Sequence, residues 1–143
     1  MIRKNTIEKI FSGASIQRWN DHIRPLELTE LDKQAHKAVI AYMLARFEQI
    51  QGGRSVNLQK IAEGCIFEFL PRLILTDIKA PVFHRLMQEK GSEITDHVYG
   101  QLKDELADIQ PGLEERFLQY LKRNTDTIEN RIINAAHYLA TQW

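Results

Sequence analysis

The chain has 143 residues, 43% of them hydrophobic and 27% charged, and its 19 basic and 19 acidic residues cancel to a formal net charge of zero. This composition excludes a disordered chain, and the length suits one domain, residues 1–143, with a substantial core. The balanced charge argues against a binder of nucleic-acid polymers, which usually has a basic surplus. Since no apolar run reaches membrane-spanning length and the start has no signal core, we expect a cytoplasmic protein without a membrane segment.

The first half of the chain predicts two helices and a loop. Ile7, Ile10 and Phe11 indicate a short helix that stops near residues 12–13. Thr29 followed by Asp32 has the pattern of an N-cap with an acid three residues on, which opens a helix that runs to about residue 51. This helix carries its apolar residues along one side, namely Leu31, Ala35, Ala38, Val39, Tyr42, Met43 and Phe47 with Arg46 among them.

The second half predicts helices separated by Gly and Pro. Asn57 caps an amphipathic central helix, whose apolar stripe includes Ile61, Cys65 and Phe69 and which Pro71 is expected to interrupt. Further helices are predicted over residues 82–90, 92–106, 113–123 and 125–143. The last one reaches the end of the chain, so we expect the domain to be truncated there. Without any period-2 strand, the pattern predicts an all-α fold, a compact helical bundle.

The end of the central helix resembles the segment that gives HD-domain phosphohydrolases their name, most closely in their YfbR-like 5'-deoxynucleotidase branch. In that family a helix ends in His-Asp, followed by a glutamate, a Gly-Asp and a Pro-x-Pro-Val-like turn. The frame is present here as FEFLPR at 67–72 and TDIKAPV at 76–82, with Glu68 and Phe69 in place of the namesake pair. The resemblance spans residues 16–139 and implies an HD-domain-like helical bundle.

The resemblance also implies positions for metal ligands. Enzymes of the family use a histidine from an early helix, the His-Asp pair and a late aspartate, and these positions correspond to His36, Glu68 and His137, with Asp126 a weaker candidate for the last. Such ligands suit Zn, Mn, Co or Fe, and the metal would activate water against a phosphate ester. The alternative is a relic cavity with hydrogen-bonded histidines and no metal. Phe69 favours this alternative because it replaces a charged ligand by a ring.

Substrate and catalytic positions follow from the same resemblance. Arg72 takes the place of the glutamate that assists hydrolysis, and Asp77 matches an acidic position near the sugar and phosphate. Arg18 and Trp19 match a segment that lines the nucleotide site, where an arginine can grip phosphate and an indole can stack on a base. The alternatives are an ordinary ion pair between Arg72 and Glu68, a turn role for Asp77 and a packing role for Trp19.

Three hypotheses about function therefore stand. The first is a degenerate HD-domain protein, catalytically weak or inactive, that binds a phosphorylated ligand such as a nucleoside monophosphate. The second is an active metal-dependent phosphohydrolase with a remodelled metal site, and the third is a non-catalytic helical interaction protein that forms a homo-oligomer. The first two predict that one cavity brings together His36, Glu68, Arg72, Asp77 and His137, with Arg18 and Trp19 at its wall.

Overall fold

The computed structural model describes residues 4–16, 28–75, 78, 80–123 and 126–141. Within these residues it contains no extended strand and six helices: α1 (Lys4–Ser12), α2 (Glu30–Ile50), α3 (Leu58–Ile74), α4 (Ala80–Ile109), α5 (Leu113–Leu121) and α6 (Ile128–Leu139). The prediction of an all-α bundle is confirmed. Helix α2 packs against α3 and α6, and α4 packs against α5. Among the described helices, none has the length and apolar character needed to cross a membrane.

Side-chain caps set the starts of α2 and α3, as predicted. Thr29 Oγ1 accepts a hydrogen bond from the Asp32 amide at 3.2 Å, and Asp32 Oδ2 accepts one from the Thr29 amide at 2.9 Å. Asn57 Oδ1 accepts from the Lys60 amide at 3.1 Å, while the Asn57 amide donates to Glu129 Oε1 at 3.0 Å. Caps of this kind satisfy amides that the first helical turn leaves without partners. The hydrogen bond from the Asn57 amide to Glu129 also connects the start of α3 to α6.

Helix α3 is central because it supplies side chains to two separate hydrophobic clusters. Ile61 and Cys65 belong to the first cluster. Its other members are Ala41, Ala45, Val56, Ile132, Ile133 and Ala136. Phe67, Phe69, Leu70 and Leu73 belong to the second, with Val98, Leu102, Leu106 and Phe117. The first cluster takes residues from the earlier turns of α3 and the second from its later turns, so α3 contacts α2 and α6 as well as α4 and α5.

Two predicted breaks have different outcomes. Pro71 does not interrupt α3, which continues to Ile74, and the Leu75 amide donates to the Pro71 carbonyl at 2.9 Å. The missing proline amide removes one hydrogen bond, and burial of Leu73 in the second cluster keeps the next turn helical. The break expected near residue 91 is present as a kink in α4, where Lys90 has φ −137° and ψ 28°.

Helix α2 is turned so that polar side chains face the interior. Its buried residues are Glu30, Lys33, Gln34, Lys37, Ala41 and Ala45, whereas Val39, Tyr42, Met43, Phe47 and Ile50 are all more than half exposed. An apolar helix stripe normally faces a core. Here Ala41 and Ala45 belong to the first cluster, with Ile40 and Leu44 packed against it, and the small size of the two alanines allows α3 and α6 to approach closely.

We expect Gly64→Ala to destabilise the fold by about 1–3 kcal/mol, because a Cβ at position 64 would overlap Ile133 Cδ1 and lie 3.2 Å from Tyr120 Cε2. Gly100→Ala is the matched control: a Cβ there meets nothing within 4 Å, so relief of glycine's entropy cost in α4 should stabilise by about 0.5–1 kcal/mol. Urea unfolding of both variants measures the difference. Equal effects at the two positions would contradict the close approach of α3 to α6.

Candidate functional site

A cavity of about 260 Å³ lies beside the last two turns of α3. Its apolar wall comes largely from α4 and includes Phe83, Met87, Ile94 and Val98. Its polar end is formed by the side chains of Gln34 of α2, Glu68 of α3, Tyr120 of α5, His137 of α6 and Arg123, two residues after the end of α5. The combination of an apolar wall with a few converging polar groups is typical of small-molecule sites.

The polar end is built on an ion pair between α2 and α3. Lys37 Nζ lies 2.7 Å from Glu68 Oε2 and donates to the carbonyl of Cys65 at 3.4 Å. The Lys37 side chain is completely buried and that of Glu68 is 23% exposed, so the carboxylate reaches the cavity while the ammonium lies behind it. A buried lysine depends on such a partner, because an unpaired buried charge is costly.

Glu68 is held in its ionised form. Burial by itself raises the pKa of this carboxyl, but His137 and the Lys37 ammonium more than offset burial and lower the pKa to about 2. His137 Nδ1 is 3.8 Å from Glu68 Oε2, beyond hydrogen-bond length, so the 2.7 Å contact with Lys37 is the short one. Arg123 Nη2 lies 3.8 Å from the other carboxylate oxygen.

The two arginines at the cavity are placed by aromatic rings. The Arg123 guanidinium lies over the Tyr120 ring, 3.5 Å from its centroid, and donates to the Tyr120 carbonyl at 2.8 Å. The Arg72 guanidinium lies over the Phe83 ring at 4.5 Å. Stacking over aromatic faces positions arginine side chains without removing all of their N–H donors.

Three buried polar atoms at the cavity lack a hydrogen-bond partner within the described part of the chain. They are Gln34 Oε1, Tyr120 Oη and His137 Nδ1. Gln34 is only 8% exposed, and its Nε2 donates to Glu30 Oε1 at 2.7 Å, which orients the amide. Burial also raises the pKa of the Tyr120 hydroxyl, which therefore stays protonated at neutral pH. Polar atoms buried in this way normally find partners in folded proteins, so they point to a bound molecule or ordered water.

The structure brings together some of the residues that the sequence singled out. Glu68, Arg72 and His137 line the cavity. His36 does not: it is exposed on α2, one residue away from the buried Lys37, and is not among the residues that line the cavity. Arg18, Trp19 and Asp77 lie outside the described residues. The ion-pair partners of Glu68 among the described residues are Lys37, Arg123 and His137, whereas the alternative that the sequence left open was Arg72.

The side chains present do not fit the metal site that the resemblance implies. The Lys37 ammonium already contacts Oε2 of Glu68, the oxygen that a metal ion would need. Repulsion between like charges keeps a second cation away from this oxygen. Phe69 is buried in the second cluster against Gly13. Asp126, the weaker candidate, pairs with Arg131 at the surface, its Oδ1 2.7 Å from the Arg131 Nε. In the described ranges no three His, Cys, Asp or Glu side chains form a group that could hold a metal ion.

Sequence reasoning missed Lys37, Gln34 and Tyr120. The two α2 residues lie three positions apart and point inward with Ala41, but nothing local marks this side of the helix as the buried one. Tyr120 follows Phe117 by three residues on α5, and both rings contact Phe67, at centroid distances of 5.6 and 5.3 Å respectively.

Comparison of the chain with protein-family models gives no match, and comparison with curated protein sequences gives none either. The kinship with HD-domain phosphohydrolases therefore stays a hypothesis that depends on the residues quoted above. The geometry of the cavity has to carry any argument about function.

We expect acid to weaken the fold as Glu68 becomes protonated. Its folded pKa of about 2 lies below the ordinary value of 4.5, so its stabilising contribution is complete above pH 4.5 and is lost as the pH falls toward 2. The size is on the order of 3 kcal/mol. Chemical denaturation between pH 6 and 2.5 should show that the free energy of unfolding falls less steeply with decreasing pH for Glu68→Gln than for the wild type. Glu115→Gln, an exposed acid on α5, should retain the wild-type slope; identical slopes for all three proteins would contradict the assignment.

Lys37→Met should cost about 2–3 kcal/mol of folding free energy, because it leaves Glu68 without its short contact. The double variant Lys37→Met/Glu68→Leu should recover most of this loss, since no uncompensated charge remains. Lys9→Met, which breaks the more exposed pair with Glu105, is the control and should cost less than about 1 kcal/mol. A double variant as unstable as Lys37→Met would show that the ion pair is not the cause.

Proposed function

We propose that the protein binds a phosphorylated small molecule in this cavity and does not hydrolyse it. The observation that carries the proposal is the set of three unpartnered buried atoms, Gln34 Oε1, Tyr120 Oη and His137 Nδ1, at one end of a cavity with an apolar wall. Leaving such atoms unpaired costs roughly 1–3 kcal/mol each, and a bound ligand offsets that cost.

Charge determines the class of ligand. Among the described residues at the polar end, Lys37 and Arg123 are cationic and Glu68 is anionic, which leaves a net charge of 2 − 1 = +1. An anion is therefore favoured over a cation. Guanidinium groups bind phosphate oxygens through paired, charge-assisted hydrogen bonds, and Arg123 is near the unpartnered Tyr120 hydroxyl.

The uncharged groups indicate what the rest of the ligand offers. Gln34 Oε1 accepts but cannot donate, so the ligand needs a hydroxyl or amine hydrogen at that point. Phe83, Ile94 and Val98 provide an apolar surface for a flat or aliphatic portion. A nucleoside monophosphate combines a phosphate, sugar hydroxyls and a flat base. A sugar phosphate, which lacks the base, is a smaller ligand of the same class and leaves more of the apolar wall uncovered.

The absence of turnover follows from the chemistry of the same side chains. Hydrolysis of a phosphate ester needs an activated water, and the position that the resemblance assigns to a catalytic carboxylate is Arg72. A guanidinium stays protonated and cannot accept the proton of water. The Glu68 carboxylate could accept a proton, but its pKa of about 2 makes it a weak base at neutral pH.

We expect calorimetric titration in the presence of EDTA to detect binding of inorganic phosphate and of deoxynucleoside monophosphates. Arg123→Ala should weaken both about 10- to 100-fold, the loss of one or two charge-assisted hydrogen bonds. Arg54→Ala removes an exposed arginine that pairs with Glu48 at 3.1 Å, and it should leave binding unchanged. Gln34→Leu should weaken binding of the nucleotides and spare inorganic phosphate, because the nucleotides have sugar hydroxyls and base amines beyond the phosphate that can donate to Gln34 Oε1.

Two outcomes would contradict the proposal. The proposal is wrong if phosphate, nucleotides and sugar phosphates all fail to bind at millimolar concentration. Release of phosphate above a no-enzyme blank with zinc, manganese or cobalt, lost in His36→Ala or His137→Ala, would establish the active phosphohydrolase instead.

A further inference from the structure

We propose that the exposed apolar face of α2 is the interface of a homodimer in which two copies of α2 pair in antiparallel orientation. This face consists of Ala35, Ala38, Val39, Tyr42, Met43, Phe47 and Ile50, all of them exposed. The five large side chains are 61%, 52%, 64%, 61% and 65% exposed in chain order. It lies opposite the buried side of α2, so no described helix of the same chain covers it.

The area of the face suits a second copy of the chain. Side chains of this size present about 150–250 Å² each when fully exposed, so five that are more than half exposed offer roughly 500 Å² per copy. Two copies would bury about 1,000 Å², the size at which specific interfaces begin. Apolar patches of this extent on soluble proteins usually mark interaction sites.

Small and large side chains are distributed along the face so that two antiparallel copies of it are complementary. A two-fold axis between Tyr42 and Met43 places Ala35 of one copy opposite Ile50 of the other, since both lie seven and a half residues from the axis. Small residues at one end of the face thus receive large ones from the other end, which is the arrangement that packs two helices closely. A self-complementary patch of this kind is what a two-fold dimer requires.

Charge permits the pairing as well. His36 and Arg46 are the side chains that can be charged near neutral pH among the exposed positions between 35 and 50, and Arg46 Nη1 donates to Gln49 Oε1 at 2.7 Å. In the antiparallel arrangement Arg46 lies opposite Val39 of the other copy, against which its aliphatic stem can pack. The two arginines are then seven residues apart along the axis, about 10 Å. A strongly charged partner protein would find no complementary charge on this face.

Sedimentation equilibrium of the full chain is expected to give twice the 16.7 kDa mass of one copy. Tyr42→Glu should raise the dimer dissociation constant by at least about 10-fold, because it places two carboxylates beside the two-fold axis. Tyr138→Glu introduces the same change at a tyrosine of α6 that is 64% exposed, and it should leave the dimer intact. A monomer at every concentration, or equal effects of the two variants, would overturn the proposal.

Disulfide trapping tests the orientation. A mixture of Ala35→Cys and Ile50→Cys chains should form a cross-linked dimer, whereas Ala35→Cys alone should not, because its two copies lie about 22 Å apart along the helix axis. The native Cys65 is buried, so wild-type protein provides the uncross-linked control. Efficient cross-linking of Ala35→Cys with itself would show a parallel pairing and overturn the antiparallel one.

Discussion

The contact between Lys37 and Glu68 determines how α2 is oriented in the bundle. The Lys37 ammonium is completely buried 2.7 Å from Glu68 of α3, and if it left that position the largely buried carboxylate would lose its partner. Since a helix turns about 100° per residue, an inward Lys37 places Gln34 and Ala41 inward and directs Val39, Tyr42 and Met43 away from the core. The polar end of the cavity and the exposed apolar face are thus two consequences of one helix orientation.

The location of this ion pair relative to the core explains why the cavity is polar at one end only. Helix α3 contributes Cys65 to the first cluster and Phe67 and Phe69 to the second, and Glu68, which belongs to neither, lies between Phe67 and Phe69 in the sequence. The apolar wall of the cavity is continuous with the second cluster through Val98. A ligand that enters would therefore meet a rigid apolar surface on one side and fixed charges on the other.

An ammonium and a metal ion in such a place have different chemistry. A divalent metal polarises phosphate and supplies hydroxide at neutral pH, whereas a lysine ammonium offers one charge and three hydrogen-bond donors. Lys37 already uses donors on Glu68 and on the Cys65 carbonyl. The cation that the structure places beside Glu68 thus belongs to the chain itself.

The sequence alone determined the features that depend on neighbouring residues in the chain. The cap at Thr29 and Asp32, the cap at Asn57, the break near residue 91 and the burial of Cys65 are encoded within a few residues, because capping and chain breaking are local interactions. Glu68 and His137 could be placed in the candidate site only through a family resemblance, and the structure brings them within 3.8 Å.

Tertiary structure alone decided which side of α2 is buried, and with it the identity of the site. His36 and Lys37 are adjacent in the chain, yet one is exposed and the other is completely buried. The apolar pattern of α2 favours the opposite orientation, because hydrophobic spacing shows which residues share a side and does not show what that side contacts. The contacts that settle the question, from Ala41 and Ala45 to α3 and α6 and from Lys37 to Glu68, join residues far apart in the chain.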